Sequence, residues 1–305
     1  MPASSVLAEK PPSSSTLPGV ILALAGAMAF SGKAIIVKLA YRYGVDAVTV
    51  IMYRMLFALP IFLAMSWWAG RGKPPLTRGD WIGVVGLGVT GYYLASFLDF
   101  LGLQFITASL ERLILYLNPT LVLLLAWLLY RKAWRRQQVL GMAISYAGVL
   151  LVFGQEVRLE GSNVALGTLL VFLSAVSYAV YLVYSGQMVQ RLGSLRLVGL
   201  ATSVACVLCI VQFLVVHPLS AAIVAPQVIW LSVLNAVLCT AVPVLLVMLA
   251  IERVGASVTA QTGMVGPMST ILLSVWLLGE PFTAWVAAGT GLVMVGIFVF
   301  TRAGR

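Results

Sequence analysis

Residues 256–296 read ASVTAQTGMVGPMSTILLSVWLLGEPFTAWVAAGTGLVMVG, and residues 108–148 read ASLERLILYLNPTLVLLLAWLLYRKAWRRQQVLGMAISYAG. Laid over one another at an offset of 148, they share Ala108-Ser109 with Ala256-Ser257, Pro119 with Pro267, Gly141 with Gly289 and Gly148 with Gly296, without a gap. In the earlier part of each half, Gly19 and Ala27 match Gly167 and Ala175 at the same offset. Shared positions in one register, spread over each half of the chain, point to a duplicated unit.

Composition says where that unit resides. Of 305 residues, 61% are hydrophobic and 9% charged, against about 25% charged in soluble domains. A soluble enzyme and a disordered chain are both excluded, because the polar side chains are too few to cover a surface or solvate a coil. The net charge of +10 would suggest nucleic acid in a polar protein. Here it suggests basic loops at the cytoplasmic face of a membrane.

A spanning helix takes roughly 20 residues, and the apolar runs predict ten spans, at about 18–40, 46–68, 81–101, 105–130, 137–153, 165–186, 196–216, 227–250, 255–278 and 282–301. Residues 1–17 read as a disordered cytoplasmic tail, 18–153 as the first five-helix repeat and 165–301 as the second. The fifth span is the shortest. Lys10 followed by an apolar stretch imitates a signal peptide, but the run continues past Lys33 to Ala40, long enough to span. Five is odd, so the second copy lies upside down relative to the first. Inverted repeats are a transporter architecture.

With both termini inside, 13 of the 19 Lys and Arg residues fall on the cytoplasmic face, two (Arg42 and Arg158) fall outside, and four lie within spans. That bias sets the orientation. Trp67, Trp68, Trp81 and Trp127 sit at predicted inner ends and Trp230 at an outer one, where amphipathic indoles prefer to be.

The chain resembles the EamA type of the drug/metabolite transporter superfamily. The resemblance is carried by Pro267, by Leu-Leu-Ser-Val-Trp-Leu-Leu-Gly-Glu-Pro at 272–281, and by Gly289 and Gly296, and it is echoed from Asn118-Pro119 to Gly148. It covers about residues 18–301. It implies an all-α integral membrane protein of ten helices in two inverted repeats, and a metabolite transporter of the cytoplasmic (inner) membrane, often an exporter. The first half departs where the family has Gly-Glu after the fourth span. Arg131 and Lys132 stand there instead, which weakens any role carried to Glu280 by symmetry.

Ionisable groups within spans are costly and so are candidates for function. The interior set is Lys33, Arg54, Asp99, Glu111 and Arg112, all in the first half. Tyr92, Ser96 and Asp99 share one face of span three, and Arg112, Tyr116 and Thr120 one face of span four. Second-half polar positions are neutral: Ser174, Tyr178 and Tyr181, Asn235 and Cys239, and Gln261. The expected substrate site is a central pocket, with Lys33 and Arg54 neutralising an anionic group. Tyr92, Tyr116, Tyr178 and Tyr181 would wall it, with Asn118 and Gln261 as polar contacts. Asn118-Pro119 and Gly266-Pro267 break the backbone ladder, and carbonyls freed there can bind ligands. Asp99, Glu111 and Arg112 are gating or coupling candidates. The plainer alternative pairs Arg112 with Asp99 in a structural bridge and lets Glu111 snorkel outward.

Other patterns carry less. Gly86-Leu-Gly88-Val-Thr-Gly91 fits a dinucleotide fingerprint, but it lies mid-span and reads as close helix packing. The stripe Gly19, Ala23, Ala27, Ser31 reads the same way. Cys206 and Cys209 read as small core residues, and His217 as a surface group. No metal, cofactor or catalytic motif is present, so the sequence points away from an enzyme.

The expected function is a secondary transporter exporting a small amphipathic metabolite, an amino acid or related organic anion, by alternating access. A channel and an integral-membrane enzyme on a lipid-linked substrate are the alternatives. The expected partners are the lipid bilayer and a small-molecule substrate, with a coupling proton or ion and a homodimer as candidates, and no nucleic acid.

Overall fold

The computed structural model describes residues 16–131, 135–160, 163–263 and 265–302, and every element among them is helical. The first repeat comprises α1 (Thr16–Tyr41), α2 (Ala47–Gly70), α3 (Arg78–Gly88), α4 (Ala95–Gly102), α5 (Ala108–Leu115), α6 (Asn118–Tyr130) and α7 (Arg136–Glu160). The second comprises α8 (Asn163–Leu192), α9 (Ser194–Val216), α10 (Pro226–Ala236), α11 (Val242–Gly263), α12 (Gly266–Leu273) and α13 (Ala284–Arg302). Among the described residues, eight helical runs are long and apolar enough to cross a membrane, and the shorter apolar helices Gly266–Leu278 and Ala284–Phe300 follow them.

Local chemistry sets the boundaries. Asp46 caps α2 by accepting from the Thr49 amide, Thr77 and Asp80 form a capping box on α3, and Thr107 caps α5. Pro119 and Pro267 each fall in the first turn of their helix, where the missing amide costs nothing.

Three boundaries differ from the reading of hydropathy alone. Helix α1 already begins at Thr16, and residues 1–15 of the expected tail lie outside the described residues. The fifth span is not short: α7 runs 25 residues to Glu160. Its polar last turns persist because the Glu156 carboxylate is bound by Thr107. Spans eight and nine are not separated by a loop near residue 250, since α11 is helical from Val242 to Gly263. The contacts with α1 nonetheless reverse. Gly26 packs on Val247, Gly19 packs on Val254, and Gly266 lies beside Ser31.

The duplication is visible in the backbone. A π-helical segment joins α3 to α4 at Val89–Leu94, and another joins α10 to α11 at Val237–Ala241. Both begin at the same repeat position. The helix break before Asn118 recurs before Gly266.

Packing repeats with the halves exchanged. A Cβ on Gly141 would sit 2.6 Å from the Gly296 carbonyl oxygen, and one on Gly148 would sit 2.6 Å from that of Gly289. These four glycines are the ones that define the repeat, and they let α7 and α13 touch backbone to backbone. Gly19 meets Arg253 and Val254, and its counterpart Gly167 meets Phe105 and Ile106. Helices α2 and α9 pair through Ser66 with Gly199 and Met55 with Cys206. Both repeat-related pairs, α7 with α13 and α2 with α9, run antiparallel. A symmetry axis along the helices would make them parallel, so the axis lies across them.

Candidate functional site

A cavity of about 620 Å³ lies where the two repeats meet. Helix α1 lines it from Ala23 to Lys33, and α2 from Arg54 to Phe62. Beyond Lys33, toward Tyr41, the interior is solid: Ala34, Ile35, Val37 and Ala40 are buried with Ile51, Phe100 and Leu103. The cavity thus extends from mid-bundle toward the end that carries Thr16 and is sealed at the Tyr41 end.

The sealed end is charged. The Lys33 ammonium lies 2.5 Å from Asp99 and 3.3 Å from Glu111. Arg112 lies 3.9 Å from Glu111 and donates to the Phe30 carbonyl at 3.1 Å. Asp99 is 2% exposed and Glu111 fully buried. Two carboxylates and two cations so close balance one another, which is what makes their burial tolerable. This arrangement overturns both parts of the plainer alternative. Asp99 pairs with Lys33 rather than Arg112, because Lys33 reaches it across the α1–α4 contact. Glu111 does not snorkel outward, since its helix face turns inward onto Lys33.

Arg54 stands apart. Its Nε donates to Thr240 at 3.1 Å, and its guanidinium lies 5.2 Å from the Phe100 ring. Its Nη1 is buried without a hydrogen-bond partner. None of the ion pairs among the described residues includes it.

The aromatic wall comes from both repeats. Tyr92 and Tyr181 meet edge to face at 5.2 Å between centroids, with their hydroxyls 3.3 Å apart. Tyr178 stacks on Tyr181 at 5.4 Å. Tyr116 presses its hydroxyl against Gly266, where any side chain would clash.

Lys33, Arg54, Tyr92, Asp99, Arg112, Tyr116, Asn118, Tyr178 and Tyr181 all line the cavity. Glu111 sits behind Lys33, and the Gln261 side chain lies outside the described residues. At the first helix break the freed Leu115 carbonyl is already occupied. Asn118 donates to Leu115 at 2.9 Å, and the Gly266 carbonyl accepts from Ser31 at 2.9 Å and Thr270 at 3.2 Å.

Sequence reasoning overlooked Thr202 and Thr240, which line the cavity. The repeat register could have found them, because they are the counterparts of Arg54 and Tyr92. It also overlooked Glu156 and discounted Glu280, which both bind around the start of α5. The remaining motifs are structural. Gly88 and Gly91 admit Ala201 and Tyr181 at close range, and Cys206 packs on Met55. His217 lies 2.8 Å from Asp46 in the loops at the Tyr41 end. Partial burial pushes the Asp46 carboxyl up, but hydrogen bonds from Thr49 and His217 outweigh it and hold the group below its ordinary value.

Known proteins agree with this architecture. The EamA-like transporter family model matches residues 17–154 and again 165–302. An uncharacterized transporter of Bacillus subtilis (strain 168), YcbK, is 30% identical over 93% of this chain and 91% of its own length. A second from the same organism, YetK, is 24% identical over 92% and 86%. A solved structure, titled only as the crystal structure of a protein, covers 95% of this chain and 99% of its own at 20% identity and a TM-score of 0.63, and so shares the fold. This duplicated, multi-pass membrane protein is a member of the EamA-like transporter family.

Proposed function

We propose that the chain is a secondary carrier that moves a small amphipathic metabolite by alternating access, crossing the membrane ten times with both termini in the cytoplasm. One observation carries the reading: a cavity at the junction of two antiparallel repeats, lined from mid-bundle to one end and sealed at the other. Its volume of about 620 Å³ falls in the range that holds metabolites. The reversal of α11 against α1 supports two crossings in that region. The 13-to-2 distribution of Lys and Arg supports cytoplasmic termini, which makes the Tyr41 end the outer one.

Within the cavity, Arg54 is the cation not already neutralised, so it is the group that would take a carboxylate. Lys33 is committed to Asp99 and Glu111 and holds the site together. The tyrosines would receive an apolar or aromatic body. The preferred cargo is then an amino acid or related organic anion, moved outward. Asp99 and Glu111 are where a coupling proton would bind.

Counterflow in proteoliposomes tests this. Unlabelled substrate inside should accelerate uptake of labelled amino acids or organic anions from a panel. Uptake that proceeds without such stimulation is the behaviour of a channel and would sink the carrier reading. A panel in which only cations compete would remove Arg54 from the site.

A further inference from the structure

The seal at the Tyr41 end is held by a carboxylate that crosses between the repeats. Gly279, in left-handed backbone at φ 72°, turns the chain so that Glu280 points at the start of α5. The Glu280 carboxylate accepts from the Ala108 amide at 2.8 Å, the Ser109 amide at 3.3 Å and the Ser109 hydroxyl at 3.0 Å. Lys38 of α1 lies 3.8 Å away. First-turn amides have no partner within their own helix, and a carboxylate there also meets the favourable end of the helix dipole. Beside it, Glu156 binds Thr107, the α5 cap. Arg42 donates to the Leu278 carbonyl at 2.7 Å.

Inverted symmetry makes this set informative. Closing the opposite end of the cavity by exchange of the repeats would call on the residues 148 positions away. Ala108-Ser109 has its counterpart in Ala256-Ser257. Glu280 corresponds to Lys132, Glu156 to Gly304, Thr107 to Gly255, Lys38 to Gly186 and Arg42 to Gln190. A lysine and glycines supply no carboxylate to receive amides. The chain kept the Ala-Ser pair in both copies, at a helix start in the first and inside α11 in the second, and carboxylates at the positions that serve it for only the first.

We propose that Glu280 is a one-sided latch. It holds the outer end shut and biases the resting carrier toward the cytoplasm, and each cycle must release α5 from it before the cavity opens outward. The proposal rests on the carrier reading above, and its test separates the two.

The reporter is Ser96→Cys, which places a thiol in the cavity wall, in a background with Cys206, Cys209 and Cys239 changed to alanine. A membrane-impermeant maleimide is applied to right-side-out and inside-out vesicles. With Glu280 intact, labelling should come from the cytoplasmic side. Glu280→Gln should raise the outer-side rate about tenfold, because bonds to a charged acceptor are lost. Ser109→Ala, which removes one of the three bonds, should raise it about threefold. An outer-side rate unchanged in Glu280→Gln overturns the latch. If that variant does not accumulate, Ser109→Ala decides, and unchanged one-sided labelling there overturns it. Equal labelling from both sides with Glu280 intact indicates an open pore and overturns the carrier reading itself.

Discussion

At the cavity the two repeats have diverged, and at the α7–α13 seam they have not. Lys33, Arg54, Asp99, Glu111 and Arg112 of the first repeat correspond to Tyr181, Thr202, Val247, Thr259 and Ala260 of the second. Every ionisable group has a neutral counterpart. At the seam, Gly141 and Gly148 correspond to Gly289 and Gly296, and each pair makes the same contact from opposite sides. The difference teaches where each constraint acts. The seam lies across the symmetry axis, so one backbone contact serves both copies and both must keep it. The cavity wall has no such tie. One copy can carry the charge while the other supplies hydroxyls and rings.

The sharpest way to break the comparison is to remove the central charge. Lys33→Met would strand Asp99 and Glu111 with Arg112 alone, and breaking a buried ion pair costs about 3–5 kcal/mol. We expect the variant to accumulate poorly and to melt well below the unaltered protein. Tyr181→Met, at the matching position, should cost much less. Equal losses in a thermal melt would show that the asymmetry has no energetic weight.

The seam predicts the opposite pattern. Gly148→Val and Gly296→Val should destabilise alike, by about 1–3 kcal/mol each through overpacking. Their melting temperatures are the measurement, and a large difference between them would break the symmetry claimed for the seam.

Arg54 and Thr202 test the site rather than the fold. Arg54→Gln should lower transport at least about tenfold, the equivalent of roughly 1.4 kcal/mol, with normal expression. Thr202→Ala should leave most activity. Transport by Arg54→Gln at an undiminished rate would remove Arg54 from the substrate path.

The smallest expected effect lies outside the membrane. Asp46 caps α2 and meets His217, so Asp46→Ala should cost about 1 kcal/mol at neutral pH as a lost cap. The pairing with His217 is partly exposed and adds little. Because the folded carboxyl is held below its unfolded value near 3.9, its contribution is present above that pH. It is lost as the pH falls through the folded value. The gap in melting temperature between Asp46→Ala and the unaltered protein should therefore close below about pH 4.

Much of this was legible in one dimension. The shared Ala-Ser, proline and glycines marked the duplication because close backbone contacts and helix starts need those residue types at fixed spacing. The membrane class followed from the scarcity of charge. The five ionisable residues stood out because each is costly in a bilayer unless paired, so position alone made them candidates. The helix boundaries were less legible. Glu156 and Arg158 look like the end of a span until Thr107, far away in the chain, is seen to bind the Glu156 carboxylate.

Sequence by itself therefore determined the class, the repeat and the list of charged residues, since those depend on composition and spacing. Tertiary structure alone decided who pairs with whom. It gave Lys33, not Arg112, to Asp99, turned Glu111 inward, left Arg54 without a carboxylate and carried Glu280 across to α5. Ion pairs and hydrogen bonds act over a few ångströms, and Lys33 with Asp99 and Ala108 with Glu280 lie 66 and 172 positions apart. Nothing in the local sequence encodes those distances. The packing of one repeat against its inverted copy does.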